Sequence, residues 1–181
     1  MKKILGTILI VLYSIIAITV TILLLSFNEY MCPEINGYTL YIVRDDTLEP
    51  DFVKGDLIAI RKANTDKIQV GEKLFLYQNI TDNDYRVRFG TLTAQGTYGP
   101  RTVYNIDNQF QFDSTYLIGT ESGSTVYHHL GTVLSILTSR WGYLFCIVIV
   151  TLLLFLEELY ELFVEIKYGN ETDDEEEIVV E

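Results

Sequence analysis

The sequence predicts an all-β domain outside the cell, held between two transmembrane helices. Two uncharged apolar runs lie near the two ends of the 181-residue chain. The segment between them alternates apolar and polar residues with a period of two, which is typical of half-buried strands. This segment shows no long amphipathic helical pattern, and its length suits one domain with a modest core.

The first apolar run, residues 4–27, contains no charged residue. At about 1.5 Å per residue, a helix of this length reaches about 36 Å, more than a hydrocarbon core of about 30 Å. A cleaved signal peptide has a shorter apolar stretch followed by small residues. We therefore interpret residues 1–27 as a transmembrane anchor, with a cleaved signal peptide as the alternative. Lys2 and Lys3 place the N-terminus in the cytoplasm by the positive-inside rule.

The second apolar run, residues 141–156, lies between Arg140 and Glu157. It is short for a span, so its flanks are expected to snorkel or the bilayer to thin around it. We interpret residues 141–167 as a second transmembrane helix with a cytoplasmic extension. Two spans predict a two-pass protein of the cell membrane, with both termini in the cytoplasm, an extracellular β domain, and the lipid bilayer as its first partner.

The negative charge of the chain is concentrated at its C-terminal end. The formal net charge is −12, and from Glu157 onward there are eleven acidic residues and one lysine. The acidic residues 168–181 cannot bury enough apolar surface to fold, which predicts a disordered tail. The rest of the chain has no basic patch, so nucleic acid is excluded as a partner.

Residues 28–123 are predicted to form the β domain. Turn-forming residues separate short alternating segments, a pattern that indicates a barrel or a sandwich. The predicted strands are residues 37–43, 56–62, 73–78, 85–94, 101–106 and 115–120. Residues 124–140 are apolar with small side chains, and we expect this segment to lie at the membrane surface or to pack along the barrel.

The cysteines and histidines of the chain form no cluster in the sequence. Cys32 follows the first span and Cys146 lies within the second, so we expect no disulfide. His128 and His129 precede the second span. We expect packing or a position at the membrane interface for them, with metal binding and catalysis as the alternatives. Since no further ligands accompany them, no metal and no cofactor is predicted.

The landmarks of the chain also follow a characteristic order. After the first apolar run come GYTLYIVRDDTLEPDFVKGDLIAI, IQVGEKLFLY, YRVRFGTL, YNIDNQFQFD, YLIGT and LGTVLSILTSRWG, and then the second apolar run. In order and spacing, this resembles the type I signal peptidases, in the branch found in archaea, the endoplasmic reticulum and some Gram-positive bacteria. The resemblance implies a signal-peptidase-like β-barrel or sandwich. It also implies a membrane-bound serine endopeptidase that cleaves signal peptides from exported preproteins.

The resemblance assigns catalytic positions to residues that differ from those of the family. The nucleophilic serine falls on Thr47 and the histidine base on Tyr85, while the aspartates fall on Asp107 and Asp113. The resemblance also implies a set of substrate-binding positions. These are Asp45, Asp46, Leu48 and Pro50, of which the two aspartates replace a serine–glycine pair and Leu48 a methionine.

These replacements predict a site without peptidase activity. Hydrolysis by a hydroxyl needs a base to accept its proton and donors that stabilise the oxyanion. A tyrosine phenol keeps its proton at neutral pH, and the methyl group of Thr47 crowds the attack. Carboxylates at Asp45 and Asp46 would oppose a developing negative charge, although a solvated acidic turn explains these two residues equally well.

The sequence therefore predicts an inactive signal-peptidase-like protein, a pseudoenzyme with an accessory or chaperone role in secretion. It would bind extended peptide segments, or partner proteins such as preproteins, pilins and other surface proteins, at the outer membrane face. Such binding adds a strand to a sheet and needs no nucleophile. Two alternatives remain: an active type I signal peptidase with a degenerate site, and an unrelated membrane-anchored β domain that acts in protein interaction.

Overall fold

The computed structural model describes residues 2–81 and 84–176 of the chain. The chain forms two compact units, one that ends at Thr138 and one that begins at Ser139. The first unit contains a long helix, a sheet and a short helix, and the second unit is helical throughout its described part.

Helix α1, Lys2–Leu25, opens the first unit. Within its stretch Gly6–Leu25, 18 consecutive residues reach a mean hydropathy of 2.9, so the helix is long and apolar enough to cross a membrane. The hydroxyl groups of Ser14, Thr19 and Thr21 donate hydrogen bonds to backbone carbonyls one turn earlier. These polar side chains are thereby satisfied inside the helix, as an apolar surrounding requires.

Eight strands of the described chain form one curled antiparallel sheet, a half-barrel. The strands are β1 Glu34–Ile35, β2 Tyr38–Ile42, β3 Leu57–Lys62, β4 Lys73–Thr81, β5 Asp84–Tyr98, β6 Arg101–Ile106, β7 Phe110–Asp113 and β8 Leu117–Tyr127. Their order across the sheet is β1-β2-β3-β8-β4-β5-β6-β7. An all-β sheet domain accompanied by apolar helices is thus confirmed at this level of detail.

The sheet has a hydrophobic cluster on each face. Because side chains alternate along a strand, Phe75 of β4 points to one face and its neighbours Leu74 and Leu76 to the other, and all three are fully buried. Phe75 joins a cluster with Ile58, Val87 and others. The second cluster is completed by residues such as Leu92 and Tyr104. The two clusters are Cys32, Val43, Leu48, Phe52, Ile58, Ile60, Phe75, Tyr77, Val87 and Ile118 on one side, and Ile68, Leu74, Leu76, Leu92, Tyr104, Ile106, Phe112 and Leu117 on the other.

The segment 124–140 divides into strand and helix. Its first residues extend β8, where Ser124 to Tyr127 pair with Ile60 to Leu57 of β3. Helix α2, Leu130–Thr138, follows. Strand β8 thus continues for four residues past residue 123, up to Tyr127.

Helix α2 is held on the turn between β2 and β3. A side chain at Gly131 would collide with the carbonyl groups of Gly55 and Asp56. The Thr132 N–H donates to the Gly55 carbonyl over 3.2 Å. The imidazole Nδ1 of His128, just before the helix, lies 2.9 Å from Oδ1 of Asp56, a side chain that is almost fully buried. These contacts set the position of α2 against β2 and β3.

The second unit is a helical segment with a local widening. Helix α3, Arg140–Tyr143, is capped by the Ser139 hydroxyl, which accepts a hydrogen bond from the Gly142 N–H over 3.0 Å. A π-helical stretch, Leu144–Ile149, leads into helix α4, Val150–Glu176. Within residues 140–167 an 18-residue stretch reaches a mean hydropathy of 2.2, so this helix is again long and apolar enough to cross a membrane.

The tail predicted to be disordered, residues 168–181, is described in part. Helix α4 ends at Glu176, and residues 177–181 lie outside the described residues. Disorder of this segment stays a prediction.

Candidate functional site

The turn after β2 carries the first group of predicted site residues. Asp45 caps a short 3₁₀ helix, Asp46–Leu48. Its Oδ1 accepts hydrogen bonds from the Thr47 N–H over 3.2 Å and from the Thr47 hydroxyl. An aspartate two residues before a hydroxyl residue favours this local arrangement, since a short acidic side chain satisfies free backbone donors at a helix start. The Thr47 hydroxyl therefore faces a carboxylate.

The Asp45 carboxylate is also paired with a cation from the sheet. Nη1 of Arg86, at the start of β5, lies 3.3 Å from Asp45 Oδ2. The hydrogen bond from the Thr47 hydroxyl holds the pKa of the Asp45 carboxyl below its usual range, and the charges of Arg86 and Lys54 act in the same direction. A carboxylate stabilised in its charged form is a weak proton acceptor for an alcohol.

Tyr85 packs in a group of aromatic side chains and does not form a hydrogen-bonded pair with Thr47. It lies half-buried on β5, with its ring edge-on to Tyr30 at a centroid distance of 5.0 Å. Tyr30 in turn stacks on Tyr77 at 4.1 Å. Within the described chain the Thr47 side chain has its hydrogen bond with Asp45, and none joins it to Tyr85.

Asp107 and Asp113 lie near the two ends of β7, at the edge of the sheet, and bond to neighbouring residues there. Asp107 lies in the β6–β7 turn with a φ of 53°, and its side chain accepts from the Thr91 N–H over 2.9 Å. Asp113 is the last residue of β7, pairs with Arg101 at 3.2 Å and accepts from the Thr115 N–H at 2.9 Å. The hydrogen bonds described for these carboxylates do not include Thr47 or Tyr85, so the structure does not bring the four predicted catalytic positions into one hydrogen-bonded group.

The predicted substrate-binding positions are split between surface and core. Asp46 and Pro50 are exposed, and Asp45 is half-buried in the ion pair with Arg86. Leu48 is only 5% exposed and packs in the hydrophobic cluster with Val43 and Phe52. Leu48 therefore anchors the turn to the sheet.

A cavity of about 420 Å³ opens beside this turn. It lies between the end of α1, the connection that follows α1, the outer edge of β2, the start of β5 and the end of α2. Its apolar wall includes Leu23, Leu40, Ile42 and Leu134, and its polar rim includes Arg44, Asp45 and Arg86. The cavity thus adjoins the end of the apolar helix α1.

The outer edge of β2 is only partly covered. Tyr41 is paired with Ile58, and the Val43 N–H donates to the Asp56 carbonyl over 2.9 Å. Backbone groups of alternate residues point to opposite edges of an antiparallel strand. The N–H and carbonyl groups of Leu40 and Ile42 are therefore directed away from β3. The Leu40 N–H donates to the Pro33 carbonyl over 2.9 Å.

The chain leaves this edge before it reaches Ile42. Pro33 has no N–H to return to Leu40. At Met31, whose φ is 59°, the backbone turns away, and the Met31 N–H donates to the Asn28 carbonyl. In the described part of the chain, the N–H and carbonyl of Ile42 are therefore directed to the cavity with no strand beside them. This open edge can accept an added strand.

The other reactive groups around the cavity are held in their neutral forms. Burial raises the pKa of the Cys32 thiol to about 11, so the thiol is not a nucleophile at neutral pH. Burial likewise raises the pKa of the Tyr41 phenol to about 12. Among the described residues, no group of three or more histidine, cysteine, aspartate or glutamate side chains is placed to hold a metal ion.

Sequence reasoning missed two features of this site. The open edge of β2 depends on a register that no motif encodes. The second feature is Arg86, the partner of Asp45, which the sequence indicates only weakly. Because Arg86 lies between Tyr85 and Val87 in an alternating strand, its side chain points to the opposite face from theirs.

Searches against protein-family models, curated proteins and solved structures found no match to this chain. The resemblance to type I signal peptidases therefore rests on the order of sequence motifs described above.

Proposed function

We propose that this chain is a signal-peptidase-like membrane protein without peptidase activity, which binds extended peptide segments at the outer membrane face. The observation that carries the proposal is the open edge of β2, where Ile42 presents its backbone groups to a cavity of about 420 Å³. An extended peptide can pair with these groups as an added strand, while its side chains enter the cavity.

The surroundings of the cavity favour ligands that emerge from a membrane. Leu23 and Phe27, at and after the end of α1, line it together with Leu134 of α2. If α1 spans the bilayer with its N-terminus in the cytoplasm, the cavity lies at the outer surface. Both termini would then be cytoplasmic and the sheet extracellular. Segments of preproteins, pilins or other surface proteins that adjoin a membrane helix are the ligands we propose.

The absence of peptidase activity is proposed from the contacts of Thr47. Its hydroxyl donates to the Asp45 carboxylate, whose pKa is lowered by that same hydrogen bond. Transfer of the hydroxyl proton to such a carboxylate is strongly unfavourable, so it does not generate an alkoxide. By the resemblance, Asp45 also falls in the stretch whose backbone N–H groups would help to form the oxyanion site, where its charge would oppose the developing negative charge.

The proposed strand addition is tested at Ile42. Ile42→Pro removes the free N–H, and it leaves the β2–β3 hydrogen bonds untouched because those are made by Tyr41 and Val43. Ile42→Ala is the matched control, because it shortens the side chain and keeps the N–H. We expect binding of a fluorescent apolar peptide, measured by polarisation with the full-length protein in nanodiscs, to fall at least tenfold, about 1.4 kcal/mol, in the proline variant only.

Circular dichroism establishes that both variants keep the sheet. Equal binding by Ile42→Pro and the unaltered protein would show that the β2 edge is not the binding site. Failure of the unaltered protein to bind any extended peptide would contradict the proposed function itself.

A further inference from the structure

The rim of the cavity carries one positive charge that no described carboxylate neutralises. Arg44 lines the cavity and is exposed. Arg86, the other arginine of the rim, is paired with Asp45 at 3.3 Å. Among the ion pairs of the described residues, none includes Arg44. Among the described residues, Arg44 is therefore the arginine of the rim that no carboxylate pairs with.

Arg44 lies in line with the apolar wall of the cavity. Side chains alternate along a strand, so Leu40, Ile42 and Arg44 point to one face, while Tyr41 and Val43 join or pack against the core on the other. Leu40 and Ile42 line the cavity with Leu134 of α2. This face is thus aliphatic at Leu40 and Ile42 of β2 and cationic at Arg44, two residues beyond the end of the strand.

We propose that the cavity selects extended peptides in which an acidic side chain lies two residues from an aliphatic one. The proposal rests on the strand addition proposed above. A strand paired with β2 places alternate side chains on the same face, directly opposite those of β2. An aliphatic residue opposite Ile42 then enters the apolar wall, and the residue two positions along faces Arg44.

A peptide fits this cation better than a lipid headgroup does. The open backbone groups belong to the aliphatic residue Ile42, and Arg44 follows two residues later, so one extended chain can use the backbone groups, the apolar wall and the cation together. An anionic headgroup can satisfy the charge of Arg44 and leaves the backbone groups of Ile42 without a partner strand. An anionic lipid as the ligand of Arg44 is therefore one outcome of the test.

The experiment compares peptides that differ in one charge. The full-length protein is reconstituted in nanodiscs of uncharged phosphatidylcholine, and fluorescence polarisation measures binding of short valine-rich peptides. The peptides carry glutamate, glutamine or lysine two positions after a leucine. In a fourth peptide the glutamate is adjacent to the leucine, which directs it to the opposite face. We expect the first peptide to bind roughly five-fold more tightly than the glutamine and adjacent-glutamate peptides.

Substitutions at Arg44 test where the selectivity arises. Arg44→Gln is expected to abolish the preference for glutamate, and Arg44→Glu to reverse it in favour of the lysine peptide. Arg61→Gln is the matched control, since Arg61 is exposed on the neighbouring strand β3 and does not line the cavity. The preference should also weaken with added salt, because a half-exposed ion pair is screened.

The outcomes separate this inference from the proposed function. If all four peptides bind equally and Ile42→Pro still abolishes binding, strand addition stands and the charge selectivity is wrong. If no peptide binds the unaltered protein, both fail. If a soluble short-chain phosphatidylglycerol binds in an Arg44-dependent way while the peptides show no charge preference, the cation serves lipid and the inference is overturned.

Discussion

At the scale of single residues, Asp45 decides what the Thr47 hydroxyl can do. The carboxylate accepts both the N–H and the hydroxyl of Thr47 and pairs with Arg86. The motif alone indicated that two acidic residues oppose nucleophilic chemistry. The motif could not reveal that one of them accepts the hydroxyl proton in a hydrogen bond, because this contact depends on the 3₁₀ turn that brings residues 45 and 47 together. The Thr47 hydroxyl is thus held in a local hydrogen bond with Asp45 that stabilises the turn.

Asp56 gives the clearest pH prediction at this scale. Burial raises the pKa of its carboxyl, but hydrogen bonds from His128 and the Val53 N–H outweigh burial, and the net shift is downward. A lowered pKa means that the unfolded state takes up the proton first, so the stability that this carboxylate contributes is present at neutral pH. It is lost as the pH falls below about 4, the ordinary range of an aspartate.

Asp56→Asn is therefore expected to reduce the loss in free energy of unfolding that occurs as the pH falls below about 4. At neutral pH the variant should lose about 1–3 kcal/mol, because a buried charge-assisted hydrogen bond is replaced by a weaker one. Urea unfolding of the full-length protein in detergent, followed by the far-ultraviolet circular dichroism of the sheet between neutral pH and pH 3, measures both effects. An unchanged loss of stability at acid pH in Asp56→Asn would contradict the role given to this carboxylate.

At the scale of elements, alternation predicted most strands and could not predict their partners. The segments 73–78 and 101–106 correspond closely to β4 and β6. Strand β7, Phe110–Asp113, was not predicted, because the turn residues Asp107 and Asn108 just before it indicated a loop. The open edge of β2 depends on where Pro33 and Met31 interrupt a ladder, which is a property of register and not of composition.

The close approach of α2 to the β2–β3 turn supplies a prediction for this element. Gly131→Ala is expected to destabilise the first unit by about 1–3 kcal/mol, because the added methyl group would overlap the Asp56 carbonyl. Since Leu134 of α2 lines the cavity, peptide affinity should fall as well. Gly96→Ala is the control, because a methyl group there would meet no atom within 4 Å. Equal stability and affinity in the two variants would refute the docking of α2 on this turn.

At the scale of the whole molecule, hydropathy is the signal that sequence carries most clearly. The stretches from Gly6 to Leu25 and from Arg140 to Lys167 are each long and apolar enough to cross a membrane, as the sequence predicted. The orientation of the termini stays a prediction from Lys2 and Lys3. The likeness to signal peptidases also stays a prediction, because motif order indicates a family only when a fold or a relative supports it.

Our central proposal is that this chain binds an exported polypeptide without cutting it. The direct measurement incubates the full-length protein in nanodiscs with a purified, labelled preprotein and follows both its retention by affinity capture and its length by electrophoresis. We predict retention of intact preprotein, equally in the unaltered protein and in Thr47→Ala, and loss of retention in Ile42→Pro. Cleavage by the unaltered protein that disappears in Thr47→Ala would contradict the account.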